Sequence, residues 1–116
     1  MKYLFILNDP PYGTERSYNG LRLANALAKT EGNAVSVFLI GDAAACAASG
    51  QVTPNGYYNI ERMLRILASK GGKIGVCGTC MDGRGLKAET LVEGAHRSTL
   101  DELAVWTQDV DRVIAI

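Results

Sequence analysis

Two cysteines spaced as Cys77-Gly78-Thr79-Cys80 are the residues of this chain best suited to chemistry. They open the segment Cys77-Gly78-Thr79-Cys80-Met81-Asp82-Gly83-Arg84-Gly85. A cysteine attacks a substrate, accepts a sulfur atom or binds a metal only as the thiolate. Cys77 ends the apolar run Lys73–Cys77, which reads as a strand, and the glycine-rich turn after it offers backbone N–H groups to the sulfur. Those donors, with the cation of Arg84, favour a thiolate, whereas Asp82 opposes it. Free cysteine is also a small hydrophobe that often only packs. The second cysteine and the glycine-flanked arginine bring reactive and packing readings to balance.

Two other chemistries use Cys-x-x-Cys. A zinc site needs two more ligands. Only Cys46 and His96 remain, neither in a second pair, so no metal site is expected. A thioredoxin-like redox pair starts a helix after the first strand, whereas this one follows the third strand in a glycine-rich stretch. A Cys-x-x-Cys dithiol redox or metal-binding protein remains the alternative function, beside a non-catalytic oligomeric module with an inert thiol. Cys46 lies in an alanine-rich segment and reads as packing; His96 reads as a loop residue. No Gly-x-Gly-x-x-Gly follows the first strand and no Walker lysine is present, so nucleotide binding has no motif. The candidate catalytic residues are therefore Cys77, Cys80 and Arg84. Gly78, Thr79 and Asp82, with Asn8, Asp9, Tyr12 and Tyr57 from two other loops, are the candidate pocket residues.

The elements that must hold these residues alternate in type. Lys2–Leu7, Ala34–Ile40, Lys73–Cys77 and Arg112–Ile116 read as strands, the first three as continuous buried runs. A helix capped by Thr14 is expected to bury Leu23, Ala24 and Leu27 with Gly20, ending at Glu31-Gly32-Asn33. Asp42 is read as the cap of a short helix running toward Gly50. Ile60, Met63, Leu64, Leu67 and Ala68 follow the full helical template, closed by Gly71-Gly72. Leu91–Glu93 reads as a short extended piece. Ser98 and Asp101 suggest a capping box for a last helix burying Leu100, Leu103 and Ala104. Such alternation predicts one α/β domain over residues 1–116, a three-layer α/β/α sandwich with a mostly parallel sheet of about four strands. The reactive group then belongs at the carboxyl edge of the strands, where the loops after Leu7, Ile40 and Cys77 meet.

Composition narrows the function. Twelve basic residues balance twelve acidic ones, which argues against nucleic acid as a partner and permits self-association. Nothing approaches a membrane-spanning run, and no secretory signal pattern is visible. With an odd cysteine count, this points to reduced thiols in the cytoplasm.

Four segments in order resemble the DsrE/DsrF-like family, in its YchN-like branch: Pro11-Tyr12-Gly13, Gly56-Tyr57 with Asn59-Ile60, the cysteine turn ending Asp82-Gly83-Arg84-Gly85, and Leu103-Ala104-x-Trp106-Thr107. The resemblance spans essentially the whole chain. It implies a three-layer sandwich, a homotrimer or hexamer, and a persulfide on one cysteine in sulfur relay, hence a sulfur carrier or sulfurtransferase that needs no cofactor. Protein donors and acceptors of sulfur would be its partners. In the relay subunits the carrier cysteine lies eight residues before the glycine closing the Arg-Gly motif, which carries that role to Cys77. Cys80 has no counterpart in them, although a similar pair occurs in the YchN-like branch.

Overall fold

The computed structural model describes residues 1–116 as five parallel strands and four helices. The strands are β1 (Lys2–Leu7), β2 (Ala34–Leu39), β3 (Lys73–Cys77), β4 (Ala95–Ser98) and β5 (Arg112–Ala115). The helices are α1 (Arg16–Ala28), α2 (Ile60–Ser69), the single turn α3 (Gly78–Asp82) and α4 (Leu100–Asp109). A 3-10 stretch covers Gly41–Ala47. The sheet runs in the order β4-β3-β2-β1-β5. The chain builds outward from β1 to β4, then crosses back to add β5 beside β1.

Side chains alternate across a pleated sheet, and here each face has its own core. Phe5, Leu7, Val35, Val37, Leu39, Ile74 and Val76 pack with Leu21 and Ala24 of α1, Ile60, Leu64 and Leu67 of α2, and the alanines of the 3-10 stretch. The opposite face is smaller: Leu4, Phe38 and Cys77 pack with Leu103, and Trp106 closes on them. Trp106 meets Phe38 edge-on, above Gly75, where a Cβ would lie 3.1 Å from Phe38 and 3.2 Å from Trp106. A single helix, α4, covers this second face. The three layers are those expected from the alternation, with five strands rather than four.

The fifth strand is β4. The extended piece lies at Ala95–Ser98 rather than Leu91–Glu93, where Leu91 makes only an isolated bridge to Ala48. Other local differences have plain causes. Thr14 does not cap α1; its hydroxyl donates to Asp9, and the helix begins at Arg16. The buried stripe of α1 is Ser17, Gly20, Leu21 and Ala24, which leaves Leu23 exposed. Thr99, not Ser98, caps α4 by accepting the Glu102 N–H. Of the apolar residues expected inside α4 only Leu103 is buried, and Leu100 is 57% exposed. Asn59 caps α2 by accepting the Arg62 N–H.

Candidate functional site

Cys77 is the last residue of β3 and Gly78 the first of α3, so the strand passes into the helix without a loop. That single turn places Cys80 back over Cys77, and the two sulfurs lie 2.7 Å apart, the Cys80 thiol donating. The glycine-rich stretch is thus helical through Asp82, and the dithiol does begin a helix.

Burial acts first on Cys77 and raises its pKa, but donors overcome it: the Cys80 thiol, the Thr79 hydroxyl 3.4 Å away, and the Cys80 and Thr79 amides leave Cys77 below its ordinary value. Cys80 moves the opposite way, raised by burial and then by Cys77, despite the Gly41 N–H donating to its sulfur at 3.2 Å. The pair is polarised, with Cys77 the better thiolate and Cys80 the proton holder. Cys46 takes no part. It is buried in the larger core, its thiol donates to the Asp9 carbonyl at 3.7 Å, and burial pushes it up to about 12.

Cys77 is only 3% exposed. It nevertheless lines a surface cleft of about 220 Å³ with Gly78, Thr79, Arg97, Ser98, Thr99 and Leu100. Arg97 is the cleft residue that the sequence reading missed. It lies on β4, one residue before Ser98, which stands in register with Cys77. Its guanidinium passes over Gly78, where a Cβ would come within 2.8 Å of Cζ, and grips Asp82 through two bonds of 2.8 and 3.0 Å. Asp82 therefore orients a cation rather than simply opposing the thiolate. Only recognition of Ala95–Ser98 as a strand beside β3 would have revealed Arg97. Its cluster extends to Ser98, which donates to Glu102 at 2.5 Å; Glu102 also pairs with His96, and the two partners hold its carboxyl below the usual range.

Arg84 does not touch either sulfur. Nε and Nη2 bind Asp42 at 3.2 and 2.6 Å, and Nη1 donates to the Cys80 carbonyl at 3.0 Å. It ties α3 to the 3-10 stretch, so Asp42 serves as its anchor rather than as a helix cap. Thr79, Gly78 and Asp82 stand with the thiols, but Asn8, Asp9, Tyr12 and Tyr57 do not line the cleft. Asn8 binds the Ile116 carbonyl through its backbone and its side chain, stitching shut the crevice between β1 and β5, where the strand order reverses. The Asp9 carboxylate accepts from Thr14, and its carbonyl accepts from Ser17. Tyr12 donates to Gln51 and accepts from the Ile60 N–H, within a stack of Tyr12, Tyr18, Tyr57 and Tyr58 against α1 and α2. Tyr12, Tyr18 and Tyr58 pack with the larger core and Tyr57 stays half exposed, whereas Cys77 belongs to the smaller core.

The largest cavity, about 370 Å³ between Arg65, Ala68, Ser69, Glu93 and Gly94, contains neither sulfur nor any paired nucleophile. No group of three or more His, Cys, Asp or Glu side chains is arranged to hold a metal ion, and no helix is long and apolar enough to cross a membrane.

A parallel sheet with helices on both faces defines a small α/β protein, and a thiol pair lies at the carboxyl edge of that sheet. The chain belongs to the DsrE/DsrF-like family, whose model matches residues 1–116, and that family is associated with sulfur relay. Protein YchN of Escherichia coli (strain K12) is 41% identical over 114 residues, 97% of each chain. Uncharacterized protein MJ0989 of Methanocaldococcus jannaschii is 36% identical over 114 residues, 98% of each. The crystal structure of ychN protein from E. coli has a TM-score of 0.93 at 39% identity, covering 100% of this chain and 99% of that one. MTH1491 of Methanobacterium thermoautotrophicum shares the fold, with a TM-score of 0.75 at 13% identity over 99% of this chain and 98% of its own.

Proposed function

We propose that this protein carries a sulfane sulfur atom as a persulfide on Cys77. The supporting observation is the polarised pair: a thiol lowered by four donors, lining a cleft that also holds a cation. In loading, the Cys77 thiolate attacks the outer sulfur of a donor persulfide, a new S–S bond forms, and the donor leaves as a thiolate. In delivery, an acceptor thiolate takes that outer sulfur and Cys77 departs as the thiolate. Arg97 supplies positive charge beside the anion in both steps. Membership of a family associated with sulfur relay supports the same reading.

The test is intact-mass spectrometry of reduced protein exposed to inorganic polysulfide. It is read in Cys80→Ser, so that no neighbouring thiol competes. A gain of about 32 mass units on Cys77 is expected, and none in Cys77→Ser. Absence of that gain in the folded protein rejects sulfur carriage.

A second reading, a dithiol redox protein, is favoured by the sulfur contact itself. It requires a Cys77–Cys80 disulfide that forms and is reduced in exchange with other dithiols, without any sulfane sulfur. A reduction potential far outside the range of cellular dithiols removes it.

We further propose a homo-oligomer, a trimer or hexamer, with sulfur donor or acceptor proteins as transient partners and the cytoplasm, where thiols stay reduced, as its compartment. The sheet face carrying Cys77 is covered by α4 alone, and α4 exposes Leu100 and Val105 at 57% and 62%, apolar surface that a second copy would remove from water. A monomer by light scattering at micromolar concentration contradicts this assembly.

A further inference from the structure

We propose that Cys80 is a resolving thiol that ends the cycle by expelling the carried sulfur as hydrosulfide. This activity rests on the sulfur-carrier reading and specifies the product that the site releases.

The geometry around Cys77 has two sides. One is the cleft, lined by Thr79, Arg97, Ser98, Thr99 and Leu100 but not by Cys80. The other holds the Cys80 sulfur, in direct contact at 2.7 Å. A sulfur atom added to Cys77 finds space in the cleft, because the remaining surroundings are Leu4, Phe38 and Leu103 of the smaller core. Cys80 then faces the inner sulfur of the persulfide, with the outer sulfur on the far side. Thiol exchange proceeds by attack of a thiolate on one sulfur and departure of the other, and this placement sets attacker and leaving group on opposite sides of the Cys77 sulfur.

The chemistry balances. Cys80 gives its proton to solvent, and its thiolate attacks the Cys77 sulfur. The Cys77–Cys80 bond forms, the bond to the outer sulfur breaks, and that atom leaves as HS⁻ with the electron pair. The sulfane sulfur is reduced by two electrons, and the two thiols are oxidised to a disulfide. An external dithiol reductant restores the pair by ordinary exchange. The Gly41 N–H, 3.2 Å from the Cys80 sulfur, is positioned to support the thiolate as it forms. The Arg84 bond to the Cys80 carbonyl and its grip on Asp42 hold α3 against the stretch that carries Gly41.

The experiment uses the full chain, reduced, desalted, treated with inorganic polysulfide and desalted again without added thiol. Wild-type protein is expected to release about one equivalent of hydrosulfide and finish about 2 mass units lighter than its reduced form. Cys80→Ser is expected to retain the added ~32 mass units and release hydrosulfide only when dithiothreitol is supplied. A wild-type chain that keeps its persulfide as long as Cys80→Ser overturns the resolving role and leaves sulfur carriage intact. A wild-type chain that releases no hydrosulfide and finishes at its reduced starting mass has never loaded, which overturns both. The wild-type mass and sulfide measurements decide the question even if the variant folds poorly.

Discussion

Arg97 grips Asp82 through two hydrogen bonds, of 2.8 and 3.0 Å, across the turn that follows Cys77. The pair joins an edge strand to α3 and holds a guanidinium beside Gly78 in the thiol's cleft. Both partners are solvent-exposed, so the link contributes position far more than stability.

Removing that cation should therefore change reactivity more than folding. Arg97→Ala is expected to shift the pH midpoint of Cys77 alkylation upward with little change in Tm. Gly78→Ala keeps the charge but places a Cβ 2.8 Å from Cζ, and should move the midpoint in the same direction. An unchanged midpoint in both variants refutes electrostatic support from Arg97.

The polarisation of the pair sets an order of reaction. With a small electrophile, Cys77 should react at lower pH than Cys80, because donors lower the first and burial with the neighbouring sulfur raises the second. Stability contributed by the Cys77 thiolate is present above the unfolded pKa and fades as pH falls through the folded one. Peptide mapping after brief alkylation at a series of pH values checks the order.

Cys46 governs part of the alkaline behaviour. Burial pushes its thiol from the ordinary cysteine range near 9.0 up to about 12. Between these values the unfolded chain has released a proton that the native chain keeps, so stability falls as pH rises. The loss contributed by this group is at most about 4 kcal/mol. Cys46→Ala should cost roughly 1 kcal/mol at neutral pH, for the lost sulfur packing, yet decline less steeply above pH 9. Urea titrations at several pH values measure the difference in slope.

Gly75→Ala should wedge the second face open. Its Cβ would lie 3.1 Å from Phe38 and 3.2 Å from Trp106, and overpacking of this kind costs about 1–3 kcal/mol. Trp106 is the only tryptophan, so a red shift of its emission reports directly on α4 leaving the sheet.

Asn59→Ala removes the acceptor for the Arg62 N–H and the donor to the Gln51 carbonyl. A loss of about 1 kcal/mol is expected from the cap, with alkylation of Cys77 unchanged because α2 packs on the other face.

Fold and site were legible to different depths. The strands β1, β2 and β3 announced themselves as apolar runs, and α2 as a full helical stripe. The Cys77–Cys80 pair was visible as spacing. What escaped was β4: Ala95-His96-Arg97-Ser98 is an edge strand with half its residues exposed, so it lacks the apolar signal of a buried one. Missing it hid Arg97, a contact set by pairing between strands rather than by neighbours along the chain. Gly78 and the run to Gly85 suggested a loop by propensity, yet helical backbone continues through Asp82 because Met81 is buried in the larger core. Asn8 and Tyr12 were assigned to the cleft because their loops end at the same sheet edge. In the folded chain their hydrogen bonds are used in local ties to Ile116, Gln51 and Ile60.

The depth of Cys46 gives the molecule a built-in clock. An irreversible thiol-blocking reagent applied to the native protein has two sulfurs at the edge of the sheet to consume, while the third lies inside a cluster of 18 buried residues. That third equivalent can be taken up only as fast as the larger core comes apart, so the slow tail of the reaction times global opening without any introduced probe.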